Sequence, residues 1–374
     1  MRRRTLLKNA IEFDRENPLT LEFVEPGVIG IDYNPIYKES GYVCKCKSSL
    51  GSVREITTSI KLNVSAGERL SFASDTFYDW NEDNYEGQAV ISFYGGNDSA
   101  RFKASGDITT IYAEGTDLSK IPYAFANMFE SSYVVDAHLL VFPNVISEYM
   151  YSYMFEWCTY LTTAAFALPV TELVEGCYST MFEECSNLVS APIIRATKLA
   201  RYCCEYMFSN CKSLATAPTL LATTLVDGCY QYMFHECKNL TYIEVNFTDY
   251  NKCCNSWVSG VPDKGWLCVP PGSYNSILNS VDKGNKKPDG WGITRYSKNS
   301  LILNIRNTDW LFAMDDPGKV DAMDSTAEMY YYICDIVIGG VTGQTYRIFQ
   351  PNCDKYYIAQ RETVPIVGQI DYRI

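Results

Sequence analysis

The chain has 374 residues, of which 47% are hydrophobic and 20% charged, a balance that supports ordinary globular cores in about two to four domains. The formal net charge is −12 and no long run of Lys or Arg occurs, which argues against nucleic acid or an anionic membrane as the main partner. No stretch approaches the ~20 apolar residues of a membrane-spanning helix, so membrane insertion is not expected.

Residues 1–17 are predicted to form an N-terminal arm with a basic start. Arg2, Arg3 and Arg4 are consecutive, and Lys8 lies nearby. Charged residues and Asn9 interrupt the segment before an apolar region of secretory-signal length develops, so we expect folding in a cytoplasm. Two interpretations of the arginines stay open, a docking arm for an acidic partner and a solvated tail.

Residues 18–120 are predicted to form a β-sandwich domain. Leu19, Leu21 and Phe23 alternate with polar residues, and segment 60–64 alternates in the same way. The segment 95–98, Gly-Gly-Asn-Asp, is a turn signal between two further apolar runs. Short alternating strands joined by such turns are typical of a sandwich.

The dipeptide Met-Phe recurs at steps of 26, 27, 26 and 26 residues, which identifies an internal repeat. The five copies begin at Met128, Met154, Met181, Met207 and Met233. A sixth, less regular copy follows, with Cys253 and Trp257 in the positions of the earlier Cys and Met. We therefore expect five to six repeats of ~26 residues between residues 121 and 296.

The spacing within each repeat predicts a helix, a tight turn and a short strand. In the third repeat Leu173, Cys177, Met181 and Cys185 are four residues apart, which is the spacing of one helical stripe. The segment 188–191 is too short for a helix and is predicted to be a strand, because Pro192 blocks its continuation. Stacked units of this kind predict a multidomain β protein with a central α/β solenoid.

The cysteines are predicted to be reduced and buried in the core. Fifteen is an odd number for a disulfide framework, and most cysteines recur at two fixed places in the repeat. Zinc sites need paired knuckles, which these spacings do not supply. The first place holds Cys177, Cys203, Cys229 and Cys253, and the second holds Cys158, Cys185, Cys211 and Cys237.

No catalytic, metal or cofactor site is predicted, and the chain is not expected to be an enzyme. Nucleophile-elbow, phosphate-loop and dinucleotide motifs are missing from the sequence, and only His138 and His235 represent histidine. Cys44-x-Cys46 is interpreted as two same-side residues of a strand rather than a metal pair. The acidic loop Asp315, Asp316, Asp321 and Asp324 is interpreted as solvated rather than as a calcium loop.

Residues 297–374 again favour β-structure. Apolar segments at 301–305, 310–314, 329–338 and 346–349 are separated by signals such as Gly339-Gly340 and Pro351-Asn352. We predict a small separate C-terminal β-domain, which resembles no family and would act as an assembly or receptor-contact module.

The repeats carry the pattern C-Y-x-x-M-F-x-x-C-x-x-L-x-x-A-P, present from Cys177-Tyr178 to Ala191-Pro192. Its first part recurs with Cys229-Tyr230 and Met233-Phe234. This pattern resembles the BspA-type leucine-rich repeats of gut bacteria and their bacteriophages, over about 170 residues. The segments 255–261 and 289–291 are similar to the end cap of such arrays. The segment 62–68, Leu-Asn-Val-Ser-Ala-Gly-Glu, is similar to the module that precedes them.

Together with the short basic arm and the lack of a secretion-signal pattern, the resemblance leads us to expect a structural or adhesive virion protein of a bacteriophage, such as a head or tail fibre, an appendage or a decoration protein. The arm and sandwich would contact other virion proteins, the repeats would contact a host-surface glycan or protein, and homo-oligomers are expected. The alternative is a bacterial cell-surface adhesin with the same repeats. A glycan-active enzyme in the C-terminal domain is the third possibility, because paired carboxylates need not be close in sequence.

The candidate binding residues form a row on one face of the predicted strands. They lie two residues after the repeated Leu and are Thr163, Ser190, Thr216 and Tyr242. Curved repeat arrays present such rows on extended concave surfaces. Tyr153, Tyr206 and Tyr232, each directly before a Met, are predicted to border the buried stripe, with ligand contact as the alternative.

Overall fold

The structure is a computed structural model that describes residues 15–34, 41–76, 87–95, 100–248, 253–270 and 290–294, and the backbone of seven short strands after residue 300. The arginine cluster and the acidic loop at 315–324 lie outside the described residues. The strands of the N-terminal part are β1 (Leu19–Phe23), β2 (Gly27–Tyr33), β3 (Cys44–Ser48), β4 (Val53–Ile56), β5 (Ile60–Val64), β6 (Arg69–Ala73), β7 (Ile91–Tyr94), β8 (Phe102–Asp107) and β9 (Val134–Val141).

These nine strands form two sheets that share one apolar core. The larger sheet has the order β4-β3-β6-β1-β8-β9 and the smaller one β5-β2-β7. Alternating burial along β1 places Leu19, Leu21 and Phe23 inside, as the alternation of apolar and polar residues requires. The rings of Phe72 on β6 and Phe93 on β7 pack edge to face with their centroids 4.8 Å apart, which joins the two sheets.

The larger sheet continues directly into the first repeat. Strand β9 follows the first Met-Phe dipeptide and pairs in parallel with β8, whereas the other pairs of this sheet are antiparallel. On the opposite side, the amides of Ala89 and Phe93 donate to the carbonyls of Ala126 and Met128 at 3.0 and 2.7 Å. The N-terminal sheets are therefore hydrogen-bonded to both sides of the first repeat.

The prediction of an α/β solenoid is wrong. The described residues contain no α-helix, and short 3₁₀ turns lie at Ile108–Ile111 and Leu118–Lys120. The sheets from the second repeat onward are small, with two or three strands of two or three residues each. Their strands are β10 (Ala167–Leu168), β11 (Ile193–Ile194), β12 (Tyr242–Glu244), β13 (Trp266–Cys268) and β14 (Gly292–Thr294).

A ribbon of consecutive turns stands where the helices were predicted. In the second repeat Tyr149, Tyr153 and Trp157 have φ values of 52°, 59° and 59°, so every fourth residue is left-handed. A left-handed residue ends a helical turn, and the chain starts a new turn each time. The sequence spacing of four residues is thus the period of this ribbon and not the 3.6 of a helix.

The turn ribbons are joined by alternate backbone amides. The amide of Tyr151 donates to the carbonyl of Cys177 in the next repeat at 3.0 Å, whereas the amide of Met154 donates back to Tyr151 at 3.2 Å. The same alternation recurs in the later repeats. Every amide from Tyr149 to Cys158 in the second repeat thereby has a partner, which is a condition for burying a backbone that is not helical.

A column of phenylalanine rings occupies the centre of the repeats. Phe129, Phe155, Phe182, Phe208 and Phe234 stack with centroid separations of 5.2, 5.3, 5.5 and 5.7 Å and nearly parallel planes. Phe93 of β7 extends the column at 5.4 Å on one side, and Trp257 follows Phe234 at 6.2 Å on the other. One continuous core thus runs from the N-terminal sheets to the last repeat.

All 13 described cysteines are free and buried. The thiols of Cys185, Cys211 and Cys237 donate to the carbonyls of Phe155, Phe182 and Phe208 at 3.0 to 3.1 Å. Burial is the main cause of the raised pKa of these three thiols. Each of these carbonyls also accepts a backbone amide, from Cys158, Cys185 and Cys211 respectively. Cysteine at this position therefore fills a small apolar space and adds a second hydrogen bond to a buried carbonyl, which Ala cannot do.

The described C-terminal backbone consists of short antiparallel pairs. Three small sheets contain β15 with β21, β16 with β19 and β20, and β17 with β18. Their ranges are β15 (Asn304–Asn307), β16 (Glu328–Tyr330), β17 (Val337–Ile338), β18 (Val341–Thr342), β19 (Arg347–Phe349), β20 (Tyr357–Ala359) and β21 (Gln369–Asp371).

Candidate binding surfaces

Parallel bridges bring the predicted binding residues together in two pairs. Thr163 pairs with Ser190 and also with Asp136 on β9. Thr216 pairs with Tyr242, which continues to Trp266 on β13. A bridge between Ser190 and Thr216 is missing from the described residues, so the row is continuous only within each pair.

The exposure of these four residues is unequal. Thr216 is exposed and Thr163 and Ser190 are half-buried, whereas only 6% of Tyr242 is exposed. Tyr242 therefore belongs to the packing of the last repeats, and three residues of the predicted row are accessible to a ligand. Their role in binding stays a prediction.

The most exposed row of the strand face lies one residue earlier in each repeat. It consists of Thr162, Val189, Ala215 and Thr241. The hydroxyls of Thr162 and Thr241 donate to the carbonyls of Val135 and Ala215, so these two hydroxyls are already engaged by the backbone. Val189 is 55% exposed, and this face presents small apolar groups rather than a polar ladder.

The turn ribbon presents a second, more aromatic surface. Two buried residues alternate with two more accessible ones, as Cys203 and Cys204 alternate with Glu205 and Tyr206. In the second repeat the outward positions hold Tyr153, which is 39% exposed, and Trp157, which is 51% exposed. This surface was missed because a helical wheel places these positions partly inside.

The tyrosines before each Met behave as the ribbon period requires. Tyr206 and Tyr232 stack at 4.7 Å with nearly parallel rings and are half-buried by each other, whereas Tyr153 is exposed. A second stack joins Tyr123 and Tyr149 at 4.9 Å. Packing between neighbouring repeats, rather than against the inner core, therefore buries these rings.

Carboxylates line the same surface. Glu130, Glu156 and Glu183 lie two residues after the Met of three successive repeats, and Glu205 lies two residues before Met207 in the fourth. Burial and the charges of Glu130 and Glu183 raise the pKa of Glu156 to about 7. Burial, together with the charges of Glu184 and Glu205, likewise raises the pKa of Glu183. Among the described residues, no cation forms a salt bridge with Glu130, Glu156, Glu183 or Glu205. No described side chain therefore balances the negative charge of these carboxylates.

The described residues contain no group of three or more His, Cys, Asp or Glu side chains that could hold a metal ion. Cys44 and Cys46 both point into the core of the N-terminal sheets, and burial raises the pKa of Cys46 to about 12. His138 is held by Asp136, whose Oδ1 lies 2.6 Å from its Nδ1. His235 lies at the edge of the Tyr232 ring.

A polar cleft of about 620 Å³ lies beside Arg15 at the start of the described chain. The guanidinium of Arg15 donates to the carbonyls of Ser74 and Tyr112 at 2.9 and 3.2 Å and lies 3.7 Å from Glu114. These contacts anchor the chain to the N-terminal sheets. They do not place a nucleophile beside a base, so the cleft does not indicate a reaction.

Comparison of the chain with protein-family models, with curated proteins and with solved structures finds no match. Among the residues that the structure describes, no helix is long and apolar enough to cross a membrane.

Proposed function

We propose that the protein is a non-enzymatic binding and structural protein whose repeats present side chains along an extended surface. The observation that carries this proposal is the uninterrupted core from the N-terminal sheets through the last repeat. Such a core holds exposed side chains of successive repeats at fixed separations of about 5 Å, which suits recognition of an extended partner better than a reaction at one point.

The proposed setting is the virion of a bacteriophage, as a fibre, an appendage or a decoration protein. This setting is supported by the resemblance of the repeat motif, which is an argument from sequence alone. Other virion proteins would be contacted through the arm and the N-terminal sheets, and a host-surface glycan or protein through the repeats. A bacterial cell-surface adhesin is the alternative that the same motif supports.

Mass spectrometry of purified phage particles tests the setting. We expect peptides of this chain at a constant ratio to the capsid protein through successive purification steps. If the chain is lost during purification and surface biotinylation of the bacterium labels it instead, the adhesin replaces the virion protein.

A separate measurement tests the absence of enzymatic activity. The purified full chain is incubated with surface polysaccharide of the host, and the polymer length is followed by size-exclusion chromatography. We expect no change in chain length. Shortening of the polymer would show that the protein is a glycan-active enzyme.

A further inference from the structure

The turn ribbons of the first four repeats form a surface on which aromatic rings and carboxylates lie together. We call it the acidic aromatic face. It is defined by Glu130, Tyr153, Glu156, Trp157, Glu183 and Glu205. Backbone hydrogen bonds place these residues on adjacent turn ribbons. The amide of Ser131, next to Glu130, donates to the carbonyl of Glu156 at 2.8 Å, and the amide of Trp157 donates to the carbonyl of Glu183 at 2.9 Å. The amide of Thr180 donates to the carbonyl of Glu205 at 2.7 Å, so the acidic aromatic face is continuous from the first to the fourth repeat.

The patch keeps its charge unbalanced although cations are present in the same repeats. Lys198 pairs with Glu172 at 2.5 Å and Arg201 with Asp227 at 3.3 Å, and Lys238 pairs with Glu236. These three cations thus neutralise carboxylates outside the acidic aromatic face. Like charges on neighbouring repeats oppose one another, and half-burial strengthens that repulsion.

Exposed aromatic rings add a second kind of attraction for a cation. Trp157 is half exposed, and indole attracts an ammonium or guanidinium group over its face more strongly than Tyr or Phe does. The chain already shows this contact elsewhere, since the guanidinium of Arg101 lies 4.3 Å from the centre of the Tyr160 ring. A partner that carries both a positive charge and an apolar stem fits Trp157 and Glu156 together.

We propose that the acidic aromatic face binds a lysine- or arginine-bearing segment of a partner protein. The strand face does not offer the same complementarity, because it presents Val189, Ala215 and backbone-bonded threonines instead. A metal ion is a poorer fit, since the described carboxylates are not grouped as metal ligands. The inference deepens the proposed binding role and rests on it, but does not depend on the virion setting.

The test measures binding of a fluorescein-labelled octalysine peptide to the full chain by fluorescence anisotropy at physiological salt. We expect saturable binding that Glu156→Gln/Glu183→Gln weakens about tenfold and Trp157→Ala about three- to fivefold. The matched control Glu55→Gln/Glu114→Gln removes two exposed carboxylates elsewhere and should change the dissociation constant less than about twofold.

Four outcomes overturn the inference, and the first three concern the peptide. They are no saturable binding, an equal effect of the control pair, and an unchanged affinity of Trp157→Ala, whose exposed side chain can be removed without disturbing the core. Binding of neutral maltoheptaose at this face in place of the peptide also overturns it. Because association with particles and labelling at the bacterial surface are measured separately, failure of the peptide test leaves the proposed function to its own experiment.

Discussion

The phenylalanine column should be the main determinant of stability in the repeats, and Phe182→Ala tests this. Phe182 is fully buried and lies 5.3 Å from Phe155 and 5.5 Å from Phe208. Truncation of a buried Phe to Ala costs about 3–5 kcal/mol, and the cost depends on how far the surroundings can collapse.

Collapse around residue 182 is restricted by the backbone. The amide of Phe155 donates to Met181, and that of Phe182 donates to Met207, both at 2.9 Å. These hydrogen bonds fix the distance between neighbouring repeats. The cavity that Phe182→Ala creates therefore cannot close by a movement of the backbone. We therefore expect a loss of unfolding free energy near the upper end, about 4–5 kcal/mol.

This loss is measured by urea unfolding, with circular dichroism as the readout. Phe182→Leu keeps most of the apolar volume and should lose about 1.5 kcal/mol, and Ile193→Ala on the exposed strand face should stay within about 0.5 kcal/mol. The reasoning is refuted if Phe182→Ala loses less than about 2 kcal/mol with an unchanged dependence on urea, because the column would then not be a rigid core.

Two further predictions concern titratable groups. In the native chain a thiol reagent should react rapidly with at most the two cysteines outside the described residues, because the other 13 are buried. After denaturation it should react with all 15. Fewer than about ten reactive thiols in the denatured protein would contradict a reduced core. Glu156 has a folded pKa of about 7, above its ordinary value of 4.5, so its folded form binds a proton more tightly and stability falls as pH rises from about 4.5 through 7. At pH 8 the unfolding free energy of Glu156→Gln should therefore exceed that of the unmodified chain by about 1 kcal/mol, after allowance for solvent screening. Near pH 4 the two values should be equal. Equal unfolding free energies at both pH values would show that the raised pKa of Glu156 does not affect stability.

Sequence patterns predicted the repeat and its buried positions but not the backbone that carries them. Cys177, Met181 and Cys185 are fully buried, and the spacing of the Met-Phe dipeptides matches the ladder of rings. The same spacing of four suits a helical stripe, which led to the error. On a helix of 3.6 residues per turn, residues at a constant spacing of four drift around the axis and leave the buried side over twelve residues. A constant spacing of four is therefore the signal of repeated turns rather than of a helix.

The candidate surfaces were predicted less well for a related reason. Thr163 and Ser190 do share a bridge, because alignment by the repeated Leu gives the strand register. Tyr242 is buried because the later repeats join β12 to β13, a pairing that one repeat does not reveal. Trp157 and Glu156 were missed because their outward direction depends on left-handed residues, and Tyr or Trp at those positions is not a usual sign of positive φ.

The N-terminal sheets act as the cap of the repeats, which leads to the last prediction. An array of this kind leaves an apolar surface and unpaired backbone groups at each end. Here β8 pairs with β9, the amide of Phe93 satisfies Met128, and the Phe93 ring covers Phe129. A fragment of residues 121–296 would expose Phe129 and half of the hydrogen bonds of β9, so we expect it to aggregate or to lack a cooperative thermal transition.

The matched fragment of residues 15–296 retains the cap and should unfold cooperatively under the same conditions. Circular dichroism and size-exclusion chromatography of both fragments distinguish the outcomes. A monomeric, cooperatively unfolding fragment 121–296 would show that the repeats are stable without the N-terminal sheets. The parallel pairing of β8 with β9 would then be a contact between two units that fold independently. The stacked phenylalanines of the repeats would be stable without the Phe93 ring.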